Sequence, residues 1–217
     1  MSAGPIRLVA FDMEGCLTAD PTVWEIMHRQ LGTWQSHGLP YWQRYLAGGL
    51  HYDEFARMDV AVWRGASEAL LREAARQVPL MRGCAEALSE LRRNGVSLAL
   101  ISNGLTCVAE RFRREFGFSH VCANTALSRD GALTGELDLS VPYAHKGLVL
   151  ARIAEELGLR REQIASVGDS AADVAMFERS AVSVAVRPGD PAVAASATHV
   201  IADHDLLPIV AIVSGAR

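Results

Sequence analysis

The 217-residue chain reads as an α/β protein, a doubly wound (Rossmann-like) parallel sheet with an inserted α-helical cap domain. Three observations carry this expectation. From about residue 83 onward, short apolar runs suited to buried strands alternate with amphipathic helical stretches, the rhythm of a parallel sheet covered on both faces. Polar residues cluster just after several of those runs, where open α/β sheets place their ligands. Between residues 19 and 79 the rhythm breaks into helix-patterned, aromatic-rich sequence with no clear strand.

In chain order, IRLVAF (6–11) is an apolar run fit for a strand buried on both faces, and it ends abruptly in Asp12-Met13-Glu14-Gly15. The stretch AEALSELRRNG reads as a helix closed by Gly95. SLALIS (97–102) is the next strand, then a helix over 106–116 and a strand around 120–123. SRDGALTGEL (128–137) is a hairpin turning on Asp130-Gly131. A helix runs from Lys146 to Gly158, followed by the strand IASVG (164–168) and a helix near 171–179. The strand VSVAV (182–186), a short helix, the strand HVIA (199–202) and an apolar helix complete the pattern, with right-handed crossovers expected. This divides the chain into a core of 1–18 with 80–217 and a cap of 19–79, bounded by Pro21 and Pro79. The cap holds all four tryptophans, three of four tyrosines and Phe55. Such enrichment fits a helical module with its own small core, which suits Trp24 and Trp63 best, or an aromatic wall facing a ligand.

Half of the residues are apolar and 21% are charged, enough for a sizeable core. A net charge of -4 argues against nucleic acid or an anionic membrane held by bulk charge. The chain has no run of 18 apolar residues, and MSAGPIRLVAFDMEG reaches acidic residues too soon for a secretory signal, so a cytoplasmic location is expected. Cys16, Cys84, Cys107 and Cys122 follow neither disulfide nor metal spacing and read as reduced thiols. Twenty of the 21 basic side chains are arginine, and the exception is Lys146.

The strand ends deliver a coherent set. Asp12 and Glu14 follow the first strand, Ser102, Asn103 and Gly104 the second, and Asp169 and Asp173 the strand IASVG, while Lys146 opens a helix. Asp12, Asp169 and Asp173 make a hard oxygen cluster suited to Mg²⁺. Ser102, the backbone amides near Asn103 and Gly104, and Lys146 offer donors and charge to a phosphate. A metal, a cation and a carboxylate nucleophile are the parts of phosphoryl transfer through an aspartyl-phosphate.

FDMEGCLT, LALISNG, Lys146 and GDSAAD, in that order, resemble the four motifs of the haloacid dehalogenase superfamily, in its phosphoserine-phosphatase-like branch with a helical cap after the first motif. The resemblance implies a Mg²⁺-dependent phosphatase acting on a small phosphorylated metabolite, with no nucleic-acid or membrane partner. It makes Asp12 the nucleophile and Glu14 the general acid/base. It gives Ser102 and Lys146 the phosphoryl group, and Mg²⁺ to Asp12, the Glu14 carbonyl, Asp169 and Asp173. The cap would close over the substrate, with Asp20, Glu25 and Arg57 as possible contacts, while Arg44, His51 and Arg64 fit a solvated face. Three departures matter: Glu14 where the family usually has Asp, Ala172 where an Asn is usual, and Asp59 where the branch carries an Arg for the substrate carboxylate. The last counts against phosphoserine itself. Phosphotransfer or a mutase reaction on another alcohol is the alternative, and a non-catalytic phosphate-binding module is a third reading.

Overall fold

The computed structural model describes residues 5–215. The core segments of 1–18 and 80–217 extend past these residues at both ends, and that part of the division lies outside them. Seven strands form one sheet in the order β4-β3-β2-β1-β5-β6-β7. The central strand β1 (Leu8–Phe11) pairs in parallel with β2 (Ser97–Leu105) and β5 (Ile164–Gly168). Beyond β2 lies β3 (His120–Arg129), and beyond β5 lie β6 (Val182–Val186) and β7 (His199–Ile201), all parallel. Only β4 (Ala132–Asp138) runs antiparallel, through the hairpin at Asp130-Gly131. The chain leaves β1 to one side and returns through β5 on the other. The crevice where the order reverses therefore opens at the carboxyl end of β1.

The buried run LVAF explains this central position, because alternate side chains serve opposite faces. Val9 and Phe11 join one apolar cluster, while Leu8 and Ala10 join another with Leu150, Ile153 and Met176. The second face is covered by α7 (Lys146–Glu156) and α8 (Val174–Phe177). The first is covered by α5 (Cys84–Arg93), α6 (Thr106–Phe116) and α10 (Ile209–Gly215).

The segment between β1 and α5 folds as α1 (Val23–Gln30), a π-helical turn (Trp34–Gly38), α2 (Leu39–Leu46), α3 (Tyr52–Val62) and α4 (Glu68–Gln77). Trp24 and Trp63 are buried, with ring centroids 5.4 Å apart. They do not anchor a separate core, because they share one contiguous cluster with Val9 and Phe11 of the sheet. Several bounds differ from expectation. β2 continues to Leu105, where it pairs with Asn124 of β3, and β3 continues to Arg129 through its pairing with β4. The helix expected near 171–179 is a 3₁₀ turn (Ala171–Asp173) leading into the four-residue α8. Among the described residues, α9 (Pro191–Ser196) completes the helices, and none is long and apolar enough to cross a membrane.

Candidate active site

Asp12 follows directly on β1, and its backbone N–H donates to Val167 O at 2.8 Å, which fixes the strand end against β5. The Lys146 ammonium, at the first residue of α7, donates to Asp12 Oδ1 and to Asp173 Oδ1, each at 2.7 Å. All three side chains are buried. Burial works against the Lys146 charge, but its two carboxylate partners outweigh that and raise its pKa above the ordinary lysine value. The second oxygen of Asp173 accepts from the backbone N–H of Asp169 and Ser170 and from Ser170 Oγ, at 3.0 to 3.1 Å. Both Asp173 oxygens thus already have partners. It fixes Lys146 on one side and the β5 loop on the other.

Oxygens of Asp12, Asp169 and Asp173 lie within 4.8 Å of one another. Desolvation, and then the neighbouring carboxylates, raise Asp12 to about 6 and Asp169 to about 8. One lysine does not balance three crowded carboxyl groups, and a hard divalent cation between them would. The donor set fits Mg²⁺.

Ser102 and Asn103 are buried at the end of β2, and the Gly104 N–H donates to Ser102 Oγ at 3.0 Å. The Asn103 side chain turns away and donates to Val141 O at 2.9 Å. Asn124, which the sequence did not single out, donates to Asn103 O and Val141 O, and its own oxygen accepts from the Val141 N–H. It pins the strand end from β3.

Glu14 reaches towards the helical segment, where Trp24 Nε1 donates to its Oε2 at 3.2 Å. Burial, with repulsion from Asp12, raises Glu14 to about 7. Gly104 makes room for this longer acid, since a Cβ there would sit 2.9 Å from Met13 Cε and 3.2 Å from the Glu14 carboxyl. At Gly15 the backbone has φ +77° and packs on the Asp169 carboxylate, so only glycine fits.

These groups open into a cavity of about 520 Å³ roofed by the helical segment. Trp34, Trp42, Tyr45, Tyr52 and Phe55 line it, together with Trp24 and Tyr143. The rings pack on one another: Tyr45 stacks on Phe55 at 5.6 Å, and Tyr52 meets Tyr143 at 5.7 Å. The aromatic enrichment therefore serves the core and the wall at once. Asp20, Glu25 and Asp59 also line the cavity. Arg57 does not, which corrects its assignment as a contact: its Nη1 donates to Leu137 O at 3.2 Å, tying α3 to β4. Arg44, His51 and Arg64 are exposed and do not line it either. Arg187, on the loop after β6, lines the cavity without having been expected there. The cysteines are free and at least half-buried, and burial pushes Cys84 and Cys107 up to about 12, which leaves them as packing thiols.

The strand-end acids, the buried lysine and the helical roof agree with the sequence profile of the haloacid dehalogenase-like hydrolases, which matches residues 9–178. The chain belongs to that family and is a hydrolase of its kind. Within it, the chain is similar to proteins named phosphoserine phosphatase. It is 26% identical to one from Methanocaldococcus jannaschii over 82% of this chain and 84% of that one. It is 28% identical to one from Haemophilus influenzae over 78% of this chain and 54% of that one. A solved phospho-aspartyl intermediate analogue of a phosphoserine phosphatase superposes with a TM-score of 0.84 at 23% identity, covering 96% of this chain and 99% of the other. A substrate-bound phosphoserine phosphatase gives 0.85 at 22% identity. At these identities the structures share the fold.

Proposed function

We propose that the protein is a Mg²⁺-dependent phosphatase that hydrolyses a small phosphomonoester through an aspartyl-phosphate on Asp12. The observation that supports this most is the Asp12 carboxylate at the end of the central strand, 2.7 Å from the chain's only lysine and beside Asp169 and Asp173. The relatives named phosphoserine phosphatase agree with it.

In this reading Asp12 attacks phosphorus in line, and the bond to the leaving alcohol breaks as the new P–O bond forms. Glu14 gives its proton to that alcohol. With a pKa near 7 it is present in both forms around neutrality, so the same group can then take a proton from the water that cleaves the aspartyl-phosphate. Ser102 Oγ, the amides at the end of β2 and Lys146 hold the phosphoryl oxygens, and Lys146 offsets charge that grows during transfer. Asp12, Asp169 and the Glu14 carbonyl would hold Mg²⁺, with Asp173 reaching it through water because its own oxygens are engaged. Bound there, the ion would supply charge stabilisation to the phosphoryl oxygens. The aromatic roof of residues 19–79, acting as the cap domain over a core of 1–18 and 80–217, excludes bulk water.

The test is phosphate release from a panel of phosphomonoesters with and without Mg²⁺. The wild-type chain should release phosphate only with the ion, and Asp12→Asn should abolish release. Normal Mg²⁺-dependent turnover by Asp12→Asn would overturn the assignment.

A further inference from the structure

We infer that Asp53 is a positioning residue: from α3 in the helical roof it holds the strap of residues 139–145 that seats Lys146, so one contact ties the roof to the buried ammonium. The placement of Lys146 stands on the geometry alone, and its effect on turnover rests on the phosphatase reading.

The strap runs from the end of β4 at Asp138 to the start of α7 at Lys146. From the sheet it is held at Val141, which is buried. Asn124 Oδ1 accepts from the Val141 N–H at 2.8 Å, and Asn124 Nδ2 donates to Val141 O at 3.1 Å. Asn103 Nδ2 donates to the same carbonyl at 2.9 Å. Both backbone groups of Val141 are thereby tied to β2 and β3. Two residues on, the hold comes from the roof. The Tyr143 N–H donates to Asp53 Oδ1 at 3.0 Å. The Tyr143 ring packs on Tyr52 and His51 beside it, with centroids 5.7 and 6.1 Å apart.

Between Tyr143 and Lys146 the chain has no slack. A 3₁₀ turn (Tyr143–His145) fills the interval, closed by the His145 N–H donating to Pro142 O at 2.9 Å. A shift of Tyr143 is therefore passed to the Lys146 backbone. The Lys146 ammonium makes two bonds of 2.7 Å, to Asp12 and Asp173, and both require its stem to start from one place. Asp53 does not line the cavity, so it acts on the reaction only through the strap.

Two variants separate the contact from the charge. Asp53→Ala removes the acceptor, whereas Asp53→Asn keeps an acceptor oxygen and loses the charge that favours the first turn of α3. Both are read with Mg²⁺ present, by steady-state hydrolysis of p-nitrophenyl phosphate and by NMR. Grown with lysine carrying ¹⁵N at Nζ, the chain shows a single side-chain ammonium signal, that of Lys146. In the wild-type chain its protons should exchange slowly with water, because the group is buried and doubly bonded. Asp53→Ala should speed that exchange by about fivefold, the factor one hydrogen bond carries in a local opening. It should also lower kcat by about tenfold with KM little changed, as a small misplacement of a reacting group does. Asp53→Asn should stay near wild type in both. Wild-type behaviour of Asp53→Ala overturns the inference, as does either effect without the other, a change confined to KM, or equal losses in the two variants. No phosphate release by the wild-type chain overturns the phosphatase reading instead, and the exchange rates then decide the placement of Lys146 by themselves.

Discussion

Lys146 and Trp24 hold the strand-end acids in different ways. The Lys146 ammonium fits between two carboxylates at 2.7 Å because it is a compact point charge on a flexible stem, and a planar guanidinium cannot occupy the same buried space. Lys146→Arg should therefore lower kcat by about a hundredfold or more, the order expected when one preorganised charge is lost. Steady-state phosphate release measures this, and an unchanged rate would show that charge alone suffices. Trp24 supplies a single N–H to Glu14 while its ring fills the apolar cluster. Trp24→Phe keeps most of the ring and removes the donor. It should lower kcat by about tenfold, part of the ~10²–10⁴-fold that a general acid contributes, with KM little changed. A change confined to KM would place Trp24 with the substrate instead.

The helices of residues 19–79 and the strands beneath them depend on each other. Trp63 closes α3 and packs on Trp24 and on the His28 ring, at 5.4 and 5.6 Å. Trp63→Ala should cost about 3–5 kcal/mol in a urea melt, as for other buried aromatic truncations, and should also slow turnover because Trp24 loses its support. The strands and their acids were legible in the sequence because a buried parallel strand is a continuous apolar run, and the residue after it has nowhere to go but the crevice. Asp12 and Asp169 follow from that alone, whereas Ser102 lies within β2 as it runs on to Leu105. The aromatic lining was harder to read. Helical phase shows that Trp24 lies on the apolar face of α1, but not that this face meets both the sheet and Glu14. Arg57 misled because sequence places it beside Asp59, while its exposed side chain swings to Leu137 O on β4. Arg187 gave no signal, since a loop arginine after a strand is common in a chain with twenty of them.

The crowded acids also govern how the whole molecule responds to pH. Asp12, Glu14 and Asp169 have folded values of about 6, 7 and 8, above ordinary values of 3.8, 4.5 and 3.8. In the metal-free protein their contribution to stability is complete below about pH 4 and is lost progressively as pH rises through 6 to 8. Thermal unfolding of the metal-free chain should therefore show a lower Tm at pH 8 than at pH 5.5. Added Mg²⁺ should raise Tm more at pH 8, where the carboxyls that would hold it are ionised. A metal-free Tm that climbs across this range would contradict the assigned environments.

The solitary buried lysine has one more consequence, for the handling of the protein. Amine-directed labels have no accessible side chain among the described residues, because Lys146 is 2% exposed. A lysine-specific protease likewise has a single bond to cut, Lys146–Gly147, sealed where α7 meets the sheet. The appearance of its two fragments would time the opening of the α/β core, with no background from the surface.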